Sequence, residues 1–192
     1  MASNPVGAAP SYGPLARALH WAMAGLVLLQ CGFGVVMAYE GPEGNIWQTL
    51  AGALRLYDAH KTLGLALLAL VAIRLANRLW RGAPPEEPTL APWQRETAAL
   101  VHAWIYLLLF LVPVLGWIGV SLYPALTVFG AVTLPALAGP DRASSGPVLV
   151  AHAIAAFALL ALVGMHVGAA LHHHFIRRDG VLGRMLPGLK RR

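Results

Sequence analysis

Four histidines carry the chemistry that this chain can do. His152 and His166 lie fourteen residues apart in a stretch, Pro147 to Ile176, that reads PVLVAHAIAAFALLALVGMHVGAALHHHFI and holds no Asp, Glu, Lys or Arg. Fourteen residues are close to four helical turns, so both rings leave one face, about 21 Å apart along the axis. A helix of about 30 residues is some 45 Å long, enough to cross the hydrocarbon core and both interfaces of a bilayer. One imidazole therefore lies near each membrane surface. His20 and His60 sit near the starts of two other apolar runs. Depth places His20 level with His166, and His60 level with His152.

A lone histidine at an interface is more often a satisfied polar residue than a ligand. Four that fall into couples at two depths are functional candidates. Neutral imidazole is a good iron ligand, and facing helices of a bundle are where a haem is held. Two axial nitrogens per porphyrin close the iron's coordination sphere, which suits electron transfer and not oxygen activation. Proton relay or a bare transition metal is the other use for such a set. With no C-x-x-C-H motif, a haem would be held noncovalently; the one cysteine, Cys31, is placed mid-span.

Other polar groups lie near these levels. Arg74 follows His60 by fourteen residues and so shares its face at the inner depth. A charge there needs an anion, such as a haem propionate, or it snorkels to the interface. Lys61 is either an outer propionate contact or an interfacial anchor. His102 finds no counterpart left at its depth and is read as a hydrogen-bonding residue, with a quinone or propionate contact as the alternative. His172, His173 and His174 point about 100° apart on a helix and cannot all bind one ion. His173, seven residues after His166, shares that ligand's face and is the best placed to accept protons.

The elements that must position these groups are legible from composition. Of 192 residues, 58% are hydrophobic and 11% charged, against about 25% charged in soluble domains. Four apolar runs are expected to span at about 14–39, 59–80, 94–123 and 147–176, giving an all-α, integral membrane four-helix bundle as one membrane domain over 1–192. The opening residues lack a basic n-region, so the first span is expected to be retained, and residues 1–14 are expected to form a mobile tail. A surface helix is expected around Trp47–Leu56, a kink at Pro113, and a surface loop over 124–146.

Net charge is +6. Eleven of the fourteen Lys and Arg fall on the side of the termini, which the positive-inside rule makes cytoplasmic. The charge is then an orientation signal, and nucleic acid is not expected as a partner.

RALHWAM at 17–23, HKTLGLALLALVAIRLANRLWR at 60–81, HAWIYLLLFLVPVLGW at 102–117, AHAIAAFALLALVGMHVGAALHHHF at 151–175 and RRDGVLGRMLP at 177–187 resemble the bacterial cytochrome b561 family from Tyr12 onward. The resemblance implies a four-helix bundle in the bacterial inner membrane with two b-type haems and quinone-linked electron transfer. It matches the ligand positions to His20, His60, His152 and His166, and a quinone-contacting histidine to His173. Within the family a superoxide oxidase takes electrons from superoxide at the outer face and reduces ubiquinone. Other members are haem-bearing anchors that carry electrons for a dehydrogenase or hydrogenase. A basic outer spot of Arg55, Lys61 and Arg142 would steer superoxide, although Asp58, Glu40, Glu43 and Asp141 lie near it.

Overall fold

The computed structural model describes residues 10–40 and 56–186. Among these, four helices are long and apolar enough to cross a membrane. They are α1 (Pro14–Glu40), α2 (Leu56–Arg81), α3 (Pro92–Leu122) and α4 (Arg142–His172). The expected surface helix at Trp47–Leu56 lies outside the described residues, except that Leu56 opens α2.

Each helix starts where local chemistry allows. Pro14 and Pro92 are first-turn prolines, whose missing N–H would have had no partner. At the head of α3 the Gln94 amide oxygen accepts the Ala91 N–H at 2.9 Å. Asp141 caps α4: its Oδ1 accepts the Ala143 and Ser144 N–H groups at 3.1 and 3.4 Å. That cap starts α4 at Arg142, five residues before the expected Pro147. Helix α3 runs on through Pro113.

The helices pack as antiparallel pairs, α1 against α2 and α3 against α4, with α2 joined to α3. The protein-facing core is sparse, formed by Met23, Val27, Leu67, Val71, Leu108 and Leu159. Large apolar side chains such as Leu28, Ile73, Leu107, Ile154 and Phe157 are exposed, as lipid-facing groups are. Trp80 and Trp93 at one end, and Tyr39 and Tyr123 at the other, project outward, where aromatic belts meet the membrane interfaces.

Both described chain ends meet at one end of the bundle, the end that the positive-inside expectation makes the inner one. Residues 10–13 are tied down there: Tyr12 N–H donates to Arg184 O at 3.3 Å. Arg184 in turn donates from Nε to Pro10 O at 3.2 Å and from Nη2 to Pro84 O at 3.3 Å and to Pro85 O. The expected mobile tail is thus corrected for its last residues, while 1–9 lie outside the described ones.

At the outer end the expected loop holds a small antiparallel hairpin, β1 (Thr127–Val128) with β2 (Val132–Thr133). Phe129 and Gly130 both take positive φ, 53° and 68°, the backbone of a type I′ turn. Asp58 Oδ2 accepts the Phe129 N–H at 2.8 Å. Lys61 donates to Ala125 O and Thr127 O at 3.2 and 2.7 Å. Two residues flanking His60 thereby hold the hairpin over the outer end.

Candidate haem-binding sites

Helix α4 is unbroken between His152 and His166, so their spacing keeps both rings on one face at two levels. At the outer level His152 faces His60 of α2, with ring centres 6.1 Å apart and planes at 84°. At the inner level His166 faces His20 of α1, with centres again 6.1 Å apart and planes at 73°.

That separation can be tested against an axial pair. A metal–imidazole bond of about 2.0 Å on each side, with about 1.1 Å from nitrogen to ring centre, puts two axial rings about 6 Å apart. Both couples fit. The ring nitrogens fit as well. His152 Nδ1 lies 2.8 Å from Val112 O; it donates there, which leaves Nε2 with its lone pair. A ligand imidazole is usually fixed in this way by its other nitrogen. His60 Nδ1 is buried and has no hydrogen-bond partner among the described residues. A buried ring nitrogen without a partner is rare, and a further group in the site would account for it.

Neighbouring residues make room for the rings. A Cβ on Gly116 would lie 3.1 Å from the Cε1 and Nδ1 atoms of His152. Gln30 of α1 donates from Nε2 to His60 O at 2.8 Å. Trp21 stands edge-on to His20 at 5.1 Å and donates from Nε1 to Met185 O at 3.0 Å. The inner ligand level is thus linked to the C-terminal segment.

Arg74 turns into the bundle rather than out to the interface. Its guanidinium donates to Tyr106 Oη at 3.1 Å and Ala16 O at 2.9 Å, and lies 3.3 Å from His20 Nδ1. The cation sits part-buried beside the inner couple. Lys61 is different. Besides the hairpin carbonyls it pairs with Asp58 at 2.9 Å, so its three N–H groups have acceptors within the protein. Arg142 lies over the Tyr123 ring at 5.2 Å, and Arg55 is outside the described residues. The outer basic spot is therefore largely engaged, and it gives little support to steering of an anion.

His102 corrects the sequence reading. It has a neighbour at its depth after all: its ring centre lies 5.1 Å from that of His166, nearer than His20. Spacing along a helix gives depth, but not which way α3 turns, so this contact was hidden. Among the described residues no three His, Cys, Asp or Glu side chains surround one point as they would a bare metal ion. His173 begins a π-turn, His173–Arg177, and its Nδ1 meets Asp179 Oδ2 at 2.5 Å. Asp179 had no sequence signal of its own, since it lies beyond the last span.

A membrane bundle that holds facing imidazoles at two levels defines a class, the membrane cytochromes. The comparisons agree. The family model for prokaryotic cytochrome b561 matches residues 11–188, and the chain belongs to that family. Membership makes it a multi-pass membrane haem protein of the b type that works in electron transfer. It is 33% identical over 179 residues to cytochrome b562 of Cereibacter sphaeroides, covering 92% of this chain and 96% of the relative. It is 31% identical over 180 residues to cytochrome b561 homolog 2 of Escherichia coli, covering 91% and 90%. It is 23% identical over 176 residues to the probable superoxide oxidase CybB of Yersinia pestis, covering 92% and 96%.

Proposed function

We propose that the chain is a dihaem cytochrome that passes electrons from a one-electron donor at the outer face to membrane quinone, with superoxide as the donor and ubiquinone as the acceptor. The observation that carries this reading is the repeated 6.1 Å separation of facing imidazoles at two levels. His20 with His166 would hold the inner haem, and His60 with His152 the outer. Bound there, each iron porphyrin supplies a one-electron carrier.

The chain's own residues do the rest. Val112 O orients His152, and Gly116 leaves the space it needs. Arg74 places a cation beside the inner couple, within reach of a propionate. Lys61 braces the hairpin and is not needed for a propionate. His173 would meet the quinone and exchange its protons. The excess of Lys and Arg at the end that holds the termini supports a cytoplasmic position for both of them.

The reaction balances as two superoxide anions, one quinone and two protons giving two dioxygen molecules and one quinol. The name of the Yersinia relative supports superoxide as donor. The test is purified, haem-loaded protein with superoxide and a short-chain ubiquinone. Quinone-dependent superoxide consumption is expected. Its absence would sink the superoxide version, and activity that needs a co-purifying oxidoreductase would make the chain that partner's electron-carrying anchor.

A further inference from the structure

Helix α4 ends in an unusual way. Its last turn widens into the π-turn His173–Arg177, closed by Arg178 in the left-handed region at φ 55°. The Arg178 N–H donates to His173 O, and so does the Asp179 N–H at 3.2 Å. The chain therefore doubles back under His173. On a straight α-helix, residues six apart point about 120° away from each other and cannot touch. Here they do, with Asp179 Oδ2 at 2.5 Å from His173 Nδ1.

The contact is enclosed. The two side chains are 12% and 5% exposed. The other carboxylate oxygen of Asp179 accepts the Val181 N–H at 3.1 Å, and Arg177 Nε lies 3.4 Å from Oδ2. Arg177 is itself held at the head of α3, by Gln94 Oε1 at 2.9 Å and Thr89 O at 3.0 Å. His172 stands edge-on to His173 at 6.0 Å. Three elements thus cooperate to aim one carboxylate at one ring nitrogen.

We propose that Asp179 is a positioning residue that fixes the tautomer and orientation of His173 for proton delivery to quinone. A carboxylate can only accept, so Nδ1 must carry the hydrogen. Nε2 is then the nitrogen offered outward. The same division of labour operates in catalytic triads, where a buried carboxylate orients an imidazole without taking its proton. This rests on the reading of His173 as the quinone contact.

The step balances. Quinone becomes quinol by taking two electrons and two protons. The electrons would come singly from the outer-face donor, and the haems, when bound, would be their carriers. For each proton, doubly protonated His173 breaks its Nε2–H bond as an O–H bond forms on the quinone. The neutral ring left behind keeps its Nδ1 hydrogen on Asp179, and Nε2 is reprotonated from water at the inner face.

The experiment uses the full chain with its haems, reduced stoichiometrically and then mixed with decylubiquinone, with haem reoxidation followed optically. Asp179→Asn keeps an oxygen for the Val181 N–H but turns an N–H donor toward His173, which reverses the tautomer. General acid–base contributions run to about 100-fold or more. A fall of at least about tenfold in the maximal rate is expected, with the quinone KM within about twofold of wild type and the haem spectrum unchanged. A wild-type rate overturns the proposal. So does a loss confined to KM, or one accompanied by loss of haem, either of which would make Asp179 merely structural. His173→Ala separates the two readings. If it too reoxidises at the wild-type rate, the quinone assignment itself fails; if it is inactive while Asp179→Asn is normal, only the role of Asp179 fails.

Discussion

Gly116 lies directly against the ring of His152: a Cβ in its place would come within 3.1 Å of two ring atoms. That is tighter than side chains normally pack, so the ring would have to yield by some tenths of an ångström. His152 is also held by Val112 O, one turn before Gly116 on α3. Gly116→Ala is expected to weaken the outer haem, and Gly116→Val to remove it, with the inner haem kept. Haem content per chain, read from a reduced-minus-oxidised spectrum, checks this. Two full haems in Gly116→Val would refute the packing role.

Replacing any of His20, His60, His152 or His166 by Ala is expected to remove one haem and leave the other. His102 provides the control. It touches His166, but on the proposed ligation it is not an axial ligand. His102→Ala should therefore retain both haems while shifting the inner haem's potential and its low-spin electron paramagnetic resonance signal. A His102→Ala protein with one haem, alongside a His20→Ala protein with two, would exchange their roles.

Lys61 ties α2 to the hairpin through Asp58, Ala125 O and Thr127 O. Hydrogen bonds from charged groups contribute about 1.5–3 kcal/mol each in favourable settings. Lys61→Met is expected to lower the stability of the haem-loaded protein by about 1–3 kcal/mol, read as a lower melting temperature in detergent, without loss of the outer haem. Loss of that haem with an unchanged melting temperature would return Lys61 to a propionate.

Much of the fold is legible in the sequence. The spans could be read because a bilayer fixes the length of an apolar helix, and the depth of each histidine followed from counting turns. The helix starts were less certain, since Asp141 extends α4 outward by a cap whose strength depends on backbone geometry. Rotation about each helix axis is not encoded in spacing, so the contact of His102 with His166 emerges only from the packing of α3 on α4. The hairpin was hidden because its strands are two residues each, and because its turn uses Phe129 at positive φ instead of the usual Asn. The His173–Asp179 contact was hidden because a π-turn resets the register by which faces are counted.

Asp141 gives a pH prediction. The Ser144 hydroxyl, at 2.6 Å, is the main cause holding its carboxyl below the usual range, helped by the Ser144 amide and less by the Ala143 amide, against an opposing effect of burial. A carboxyl depressed in the folded state contributes stability above its unfolded value of about 4. That contribution is lost as pH falls through the folded value. Asp141→Asn keeps a capping oxygen without the titration. Between pH 7 and about pH 2 the wild-type melting temperature should fall further than that of Asp141→Asn, with the divergence beginning near the unfolded value, and parallel curves would sink the assignment.

Arg74 should act on the inner haem through its charge. Its guanidinium is anchored by Tyr106 and Ala16 and lies part-buried beside His20. A fixed cation near an iron disfavours the ferric state, which carries one more positive charge than the ferrous. Coulomb energies at protein-like dielectric are several times those in water at the same distance. Arg74→Leu is therefore expected to lower the inner haem's midpoint potential by tens of millivolts, while Arg74→Lys, which keeps the charge, should lower it less. The outer couple lies about 21 Å away along the axis, so the outer haem should move much less. Redox titration of the two haems in each variant makes the comparison. Equal shifts at both haems would point to a general loosening of the bundle. No shift at either would mean that Arg74 serves the protein only as a hydrogen-bond donor to Tyr106 and the start of α1.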